Sequence, residues 1–210
     1  MGLLFKEYVN SNCLLGLWET EEDFFTLYSG LNLSKEEIDT LNSFRNYDRK
    51  LEWLTVRRLL YEMTGPDVKI FYNGKRKPFL NDRKYNISIS HSHKLTSILL
   101  SKQCRVGVDL EYISNEIGPL ANKFLNQKEK QEARLSGEDY HIYLYWCAKE
   151  AIFKICDKQD ISLRKHIYID PFEPGDEGKL TGRVCKNQNN EEFCLEYFRY
   201  GNYFIVWCCK

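Results

Sequence analysis

The stretch VGVDLE at residues 106–111 alternates apolar and acidic side chains, which is the pattern of a β-strand with one buried face. Because successive strand side chains point to opposite faces, Asp109 and Glu111 share one face, whereas Val108 and Leu110 share the other. Two carboxylates on one face repel each other unless a cation lies between them, and Mg²⁺ is the ion that best suits such oxygen ligands. A half-exposed edge strand with solvated acids is the alternative that this stretch leaves open.

The elements around this strand predict an α+β fold. Upstream we expect two strands within residues 3–18, a helix that a capping box at Ser34 and Glu37 opens toward Phe44, a helix over about 48–63, and strands over 68–72, 86–90 and 96–100. Downstream we expect helices over about 118–124, 127–135 and 138–156, and strands around Ile167, 180–184, 193–198 and 204–208.

A second motif, WCAKEAIFK at residues 146–154, falls on the last of these helices. Glu150 and Lys154 are four residues apart and therefore lie on one helix face, with Trp146 one turn before them on the same side. An exposed Glu–Lys pair of this spacing is common and of little energetic value. The flanking Trp146 and Phe153 favour burial instead, and a buried carboxylate needs a lysine or a metal ion as its partner.

A third motif, SISHSH at residues 88–93, ends a predicted strand in hydroxyl and imidazole groups that are able to contact phosphate oxygens. His91 and His93 could instead bind zinc, although no third ligand lies nearby in the sequence. Each motif alone has a structural explanation. Their common order along the chain is more specific than any one of them.

Taken together, these motifs resemble the 4′-phosphopantetheinyl transferase superfamily. The resemblance rests on Lys77-Pro78, SHS at 90–92, GVDLE at 107–111 and the WxxKE-then-Lys block at 146–154, and it covers nearly the whole chain. The acidic block lies mid-chain, as in the longer, surfactin-synthetase-activating type. The resemblance implies two similar α/β lobes related by pseudo-two-fold symmetry, with the active site between them: an N-terminal lobe, 1–104, for coenzyme A nucleotide contacts and a C-terminal lobe, 105–210, for magnesium and catalysis.

The implied enzyme is a holo-[acyl-carrier-protein] synthase, which moves the 4′-phosphopantetheine arm of coenzyme A to a serine of an apo carrier protein and releases 3′,5′-ADP. The resemblance implies that Asp109, Glu111 and Glu150 hold Mg²⁺ and that Asp109 also contacts coenzyme A. Glu150 is the candidate base, Lys154 offsets charge on the pyrophosphate, and His91 is a further catalytic candidate.

The resemblance also implies a nucleotide site lined by Arg49, Arg57, Lys77, Pro78, Ser90 and His91. A solvated helix face is the alternative for the two arginines. Glu129 matches a further glutamate of the family, with a supporting or metal-binding role. Lys149 projects from a different helix face than Glu150 and is the weaker candidate for contact with phosphate.

Composition and sequence signals indicate the partners and the compartment that we expect for this protein. Thirty basic residues balance thirty acidic ones, which disfavours nucleic acid as a partner. No secretory signal, membrane span or zinc-finger cysteine spacing is evident, so we expect a cytoplasmic monomer whose eight cysteines are core residues. Carriers of fatty-acid, polyketide or peptide synthesis all fit. A magnesium-dependent pyrophosphate hydrolase and a non-catalytic coenzyme A-binding protein remain as alternatives.

Overall fold

A computed structural model describes residues 2–114, 117–136, 139–156, 160–186 and 189–210. It shows a mixed α/β protein with several sheets. The chain divides into two compact units, Met1–Gln103 and Cys104–Lys210, which we call the N-terminal and C-terminal units.

The N-terminal unit is built on a four-stranded antiparallel sheet of order β1-β2-β6-β5. Its elements are β1 (Gly2–Asn10), β2 (Cys13–Glu19), α1 (Phe24–Tyr28), α2 (Lys35–Ser43), α3 (Tyr47–Thr64), β3 (Ile70–Tyr72), β4 (Pro78–Leu80), β5 (Asn86–Ser92) and β6 (Leu95–Ser101). Strands β3 and β4 form a separate antiparallel pair.

The C-terminal unit is built on a five-stranded antiparallel sheet of order β7-β11-β10-β9-β8. Its elements are β7 (Val106–Tyr112), a 3₁₀ turn (Gly118–Leu120), α4 (Ala121–Phe124), α5 (Gln127–Ser136), α6 (Asp139–Cys156), α7 (Leu163–His166), β8 (Ile167–Ile169), β9 (Glu177–Lys186), β10 (Asn189–Tyr200) and β11 (Tyr203–Cys209).

Local sequence signals explain where the helices of the N-terminal unit begin and end. The predicted capping box is confirmed: the Ser34 hydroxyl accepts the Glu37 backbone N–H, and the Glu37 carboxylate accepts the Ser34 N–H. Helix α3 begins after Asn46, whose side chain accepts the Arg49 N–H, and ends at Gly65. Gly65 has φ of 94°, a conformation that favours glycine.

Three short elements were not predicted from the sequence, namely α1, β4 and α7. Asp23 and Ser162 cap α1 and α7, and these two N-cap residues were the available signals for them. The expected strand over 68–72 begins only at Ile70, and Glu138, the expected start of the helix that precedes Cys156, lies outside the described residues. Of the cysteines expected in the core, Cys147, Cys156 and Cys208 are buried, but Cys194 is exposed.

Helix α6 covers the sheet face that carries Gly107, Asp109 and Glu111. These residues pair with Cys208, Val206 and Phe204 of β11, and those three side chains belong to the apolar core around α6. At Gly107 the helix backbone comes very close, because a Cβ placed there would lie only 2.0 Å from the Ala151 carbonyl oxygen. The glycine of the VGVDLE stretch therefore permits a helix–strand contact that no larger residue allows.

None of the helices in the described ranges combines the length and the hydropathy that crossing a bilayer requires.

The close contact at Gly107 leads to a prediction. Replacing Gly107 with alanine is expected to destabilise the protein by about 3 kcal/mol or more, because either α6 must move away from β7 or a methyl group must overlap a backbone carbonyl. Urea unfolding followed by circular dichroism measures this free energy. Gly118→Ala is the matched control, since a Cβ at Gly118 meets no atom within 4 Å. Equal stability of the two variants would contradict the close contact.

Candidate active site

The contact between β7 and α6 brings two of the sequence motifs together. Asp109 is only 4% exposed and Glu111 is partly buried, so the alternative of solvated acids on an exposed strand is wrong for Asp109. Val108 and Leu110, on the opposite face, are fully buried as expected. The acidic face of β7 is thus enclosed by the helix that carries the WxxKE block.

Lys154 links the end of α6 to the acidic strand. Its Nζ donates to Asp109 Oδ1 at 2.7 Å and to the Val108 carbonyl oxygen at 2.9 Å. The side chain of Lys154 is 27% exposed and that of Asp109, taken without its backbone, is 6% exposed, so the ion pair lies at the edge of the core. The ammonium group offsets part of the negative charge that the carboxylates concentrate here.

Glu150 stands in an environment that favours its neutral form. Burial, together with the negative charges of Asp109 and Glu111, raises the pKa of Glu150 to about 7, while the positive charge of Lys154 opposes the shift. The influence of both strand carboxylates on Glu150 indicates that the three acidic groups share one locality. A carboxyl group with a pKa near neutrality is able to accept and release a proton at physiological pH.

Glu111 is held by the first residue of the WxxKE block. The indole Nε1 of Trp146 donates to Glu111 Oε1 at 3.2 Å. From the sequence, Trp146 is expected on the Glu150 side of the helix, with no predicted partner. The spacing of four residues between Trp146 and Glu150 was the signal that both face β7.

Lys149 is enclosed in the core of the C-terminal unit. Its side chain is 0% exposed. Its Nζ donates to Glu129 Oε2 at 2.7 Å and to the carbonyl oxygens of Phe124, Leu163 and Ile167. Burial lowers the pKa of Lys149, and the Glu129 carboxylate opposes this shift. Glu129 also accepts the backbone N–H groups of Asn126 and Ile169. These contacts connect α5, α6 and β8, and they give both residues a structural role.

The donor set suits a hard divalent cation, because it consists of carboxylates of which two share one strand face. In the described part of the chain, however, no three His, Cys, Asp or Glu side chains are already arranged around a common metal position. Lys154 Nζ contacts Asp109 Oδ1. The residues therefore fit magnesium by their chemistry, and binding requires the side chains to adjust.

A separate polar cluster lies in the N-terminal unit. Arg49 Nη1 donates to Glu52 Oε2 at 2.8 Å and lies 3.1 Å from His91 Nε2, while His91 Nδ1 lies 3.8 Å from Glu52 Oε1. Arg49 is 48% exposed and His91 35% exposed, so an anion from solvent can approach both side chains. The structure thus brings together one of the two predicted arginines and the predicted histidine.

Arg57 has different surroundings, because it is buried. Its Nε donates to Glu37 Oε1 at 3.1 Å, its Nη1 donates to the Trp53 carbonyl oxygen, and its guanidinium lies over the Trp53 ring. Burial lowers the pKa of Arg57 to about 10, so the group stays charged at neutral pH. These contacts join α3 to the capping box of α2.

Three remaining nucleotide-site candidates lie on or next to strands of the N-terminal unit. Pro78 begins β4, and Lys77, just before it, is partly buried and donates its backbone N–H to Asn73 Oδ1. Ser90, in β5, is 7% exposed.

Residues 105–208 match the model of the 4′-phosphopantetheinyl transferase superfamily. The matched range includes Asp109, Glu111, Glu150 and Lys154, the groups that β7 and α6 bring together. The matched part of the chain belongs to this superfamily, which is a family of enzymes.

Among curated proteins, the chain is similar to the 4′-phosphopantetheinyl transferase HetI of Nostoc sp. (strain PCC 7120), with 26% identity over 159 residues. It is also similar to the 4′-phosphopantetheinyl transferase AcpT of Escherichia coli K12, with 31% identity over 112 residues. The first alignment covers 68% of this chain and 67% of HetI, and the second covers 50% of this chain and 57% of AcpT.

The pKa of Glu150 predicts how stability depends on pH when a chelator is present. Its pKa is about 7 in the folded protein and 4.5 as the reference value, so between these pH values the folded state binds the proton that the unfolded state has lost. Stability is therefore lost as pH rises from about 4.5 to 7, by up to about 3 kcal/mol. We expect Glu150→Gln to remove this loss and to be the more stable protein at pH 8.

Unfolding free energies of the wild type and Glu150→Gln, measured from pH 5 to pH 8, test this expectation. Glu177→Gln, a substitution of an exposed glutamate in the same unit, is the control and keeps the wild-type slope. Parallel pH curves for the wild type and Glu150→Gln would show that Glu150 ionises without a penalty.

Loss of the buried lysine is expected to be costly. Lys149→Met leaves the Glu129 carboxylate buried without its cation, and we expect a loss of about 3–5 kcal/mol in the free energy of unfolding. Lys128→Met, at a side chain that is 73% exposed, should change stability by less than about 1 kcal/mol. Urea unfolding of both variants measures the difference, and a stable Lys149→Met protein would refute the structural role.

Proposed function

We propose that the protein transfers the 4′-phosphopantetheine arm of coenzyme A to a serine of an apo carrier protein, with magnesium, and releases 3′,5′-ADP. The observation that carries the proposal is the enclosure of Asp109, Glu111, Glu150 and Lys154 by β7 and α6. Membership of the superfamily and the names of HetI and AcpT support the same reaction.

In this proposal, Asp109, Glu111 and Glu150 hold Mg²⁺. When bound, the ion neutralises charge on the pyrophosphate of coenzyme A during transfer. Its binding would also relieve the repulsion among the three carboxylates, which adds to burial in raising the pKa of Glu150. Asp109 would also contact the coenzyme A pyrophosphate, next to the proposed position of the ion.

Glu150 is the proposed base. As the carrier serine oxygen forms its bond to the β-phosphorus of the pyrophosphate, the serine proton passes to the Glu150 carboxylate, directly or through a water molecule. The bond from that phosphorus to the bridging oxygen breaks, and 3′,5′-ADP leaves with that oxygen and its negative charge. Burial and the neighbouring carboxylates raise the pKa of Glu150 to about 7 in the absence of a metal ion, so this group takes up a proton more readily than an ordinary glutamate does.

Lys154 is proposed to stabilise the leaving group. Its ammonium lies within the acidic locality and is partly exposed, so it is able to turn from Asp109 toward the phosphate oxygens when substrate is bound. Lys149, in contrast, is held by four acceptors in the core and has no proposed contact with substrate.

For the nucleotide part of coenzyme A, we propose the N-terminal unit, with Arg49 and His91 contacting the 3′-phosphate. The exposed guanidinium of Arg49 suits bidentate phosphate contact, and the imidazole of His91 already lies beside it. Lys77, Pro78 and Ser90 are the proposed further lining of this site. For Arg57 we propose support of α3, since its charge is paired with Glu37.

We also propose that the two units arose as similar halves, as in the surfactin-synthetase-activating type. The support is that each has an antiparallel β-hairpin whose last strand pairs with the strand that precedes the helices, giving β2-β6-β5 in one unit and β7-β11-β10 in the other. In each unit an 18-residue helix, α3 or α6, packs against those paired strands. We also propose that the protein is monomeric and acts in the cytoplasm.

The direct test is to incubate the protein with Mg²⁺, coenzyme A and a panel of apo carrier proteins and to read intact carrier mass. We expect one carrier serine to gain one phosphopantetheine arm, and a chelator to abolish the gain. Asp109→Asn and Glu150→Gln should lower the rate by at least about 100-fold, because each removes a charge that the transfer step uses.

Asp176→Asn, at an aspartate that is 84% exposed, is the matched control and should keep the wild-type rate. Two results would contradict the transferase. Rapid cleavage of coenzyme A in the absence of any carrier would indicate a hydrolase. Tight binding of coenzyme A with no modified carrier and no cleavage would indicate a binding protein.

A further inference from the structure

The hydrogen bond between Trp146 and Glu111 joins α6 to the second carboxylate of β7, as the Lys154 ion pair joins α6 to Asp109. The indole Nε1–H donates to Glu111 Oε1 at 3.2 Å, from the face of α6 that covers β7. Glu111 is only partly buried and lies near the end of β7, so its long side chain has more freedom than that of Asp109. The indole donor restricts that freedom.

The indole ring is itself held by a buried neighbour. Trp146 meets the ring of Phe124 edge to face, with centroids 4.9 Å apart at 66°, and Phe124 is 0% exposed. The Phe124 carbonyl oxygen accepts a hydrogen bond from Lys149 Nζ at 3.0 Å. Since Trp146 and Lys149 lie one turn apart on α6, one residue at the end of α4 is contacted by both.

A continuous set of contacts therefore runs from the buried ion pair to the acidic strand. It passes from Glu129 to Lys149, from Lys149 to the Phe124 backbone, from the Phe124 ring to Trp146, and from the Trp146 N–H to Glu111. Each link is a hydrogen bond or an aromatic contact between described residues. The set places the indole N–H at a defined position relative to β7.

We infer that Trp146 is a positioning residue, whose indole N–H orients the Glu111 carboxylate for the divalent ion. This inference rests on the proposed function, in which Glu111 is a metal ligand. A carboxylate that is already oriented loses less conformational freedom when the ion binds, so affinity for the ion is higher. Ring packing alone would stabilise the fold without affecting the affinity for metal.

The test is the substitution Trp146→Phe, which keeps a ring against Phe124 and removes the N–H donor. Titration of the full-length protein with Mn²⁺, followed by electron paramagnetic resonance in the absence of coenzyme A and carrier, measures affinity without using activity. We expect about tenfold weaker binding, at the low end of the effect of removing a partner that orients a metal ligand. The melting temperature should change little.

Trp207→Phe is the matched control. Trp207 is a tryptophan of the same unit and is more buried than Trp146, but it pairs with Val108 and therefore lies on the face of the sheet opposite to Glu111. This variant should bind Mn²⁺ with wild-type affinity. A second control is Glu111→Ala, in which Trp146→Phe should have no further effect on Mn²⁺ affinity, since its action passes through Glu111.

The outcomes separate the inference from the proposed function. Wild-type Mn²⁺ affinity in Trp146→Phe overturns the positioning role alone, as does an equal loss with and without Glu111. A wild-type protein that binds no Mn²⁺ overturns the metal site and the positioning role together. A further expected result is that Trp146→Phe requires more Mg²⁺ for half-maximal transfer while keeping its kcat at saturating Mg²⁺, a pattern that a packing defect does not produce.

Discussion

The close approach of α6 to β7 at Gly107 is the constraint on which the rest of the candidate site depends. With no side chain at Gly107, the helix backbone at Ala151 reaches the strand, and the residues on either side of Ala151 come within reach of the carboxylates. Lys154 is thereby able to contact Asp109 and the Val108 carbonyl oxygen, and Trp146 is able to contact Glu111. A separation larger by one methyl group would lengthen each of these contacts.

The periodicity of α6 divides the WxxKE block between two tasks. Trp146, Glu150 and Lys154 follow one another at intervals of four residues and face the acidic strand. Lys149 lies about 100° around the helix from Glu150 and points into the core, where it joins Glu129 and three backbone carbonyls. Adjacent residues of one motif thus face the candidate site and the core separately.

The concentration of negative charge at the site disfavours folding and would favour the binding of a cation. Lys154 pairs with Asp109 within a partly buried group of three carboxylates, and burial together with the charges of Asp109 and Glu111 still raises the pKa of Glu150, which reflects the remaining cost. A divalent cation would supply the missing charge. Removal of that cost on binding is a physical reason for such a cluster to bind a metal ion. The buried Lys149–Glu129 pair, on the other side of α6, holds α5, α6 and β8 together.

What the sequence determined by itself is what depends on near neighbours along the chain. Strand alternation placed Asp109 and Glu111 on one face, helical spacing placed Trp146, Glu150 and Lys154 on another, and the Ser34–Glu37 capping box followed from four consecutive residues. The order of these motifs was also enough to suggest the superfamily. Only the tertiary structure decided that Arg57 is paired with Glu37, that Lys149 is buried against Glu129, and that Trp146 donates to Glu111. The physical reason is that these contacts join residues 20 or more positions apart, whose meeting depends on how closely whole helices and strands pack, and periodicity along one element carries no information about that distance.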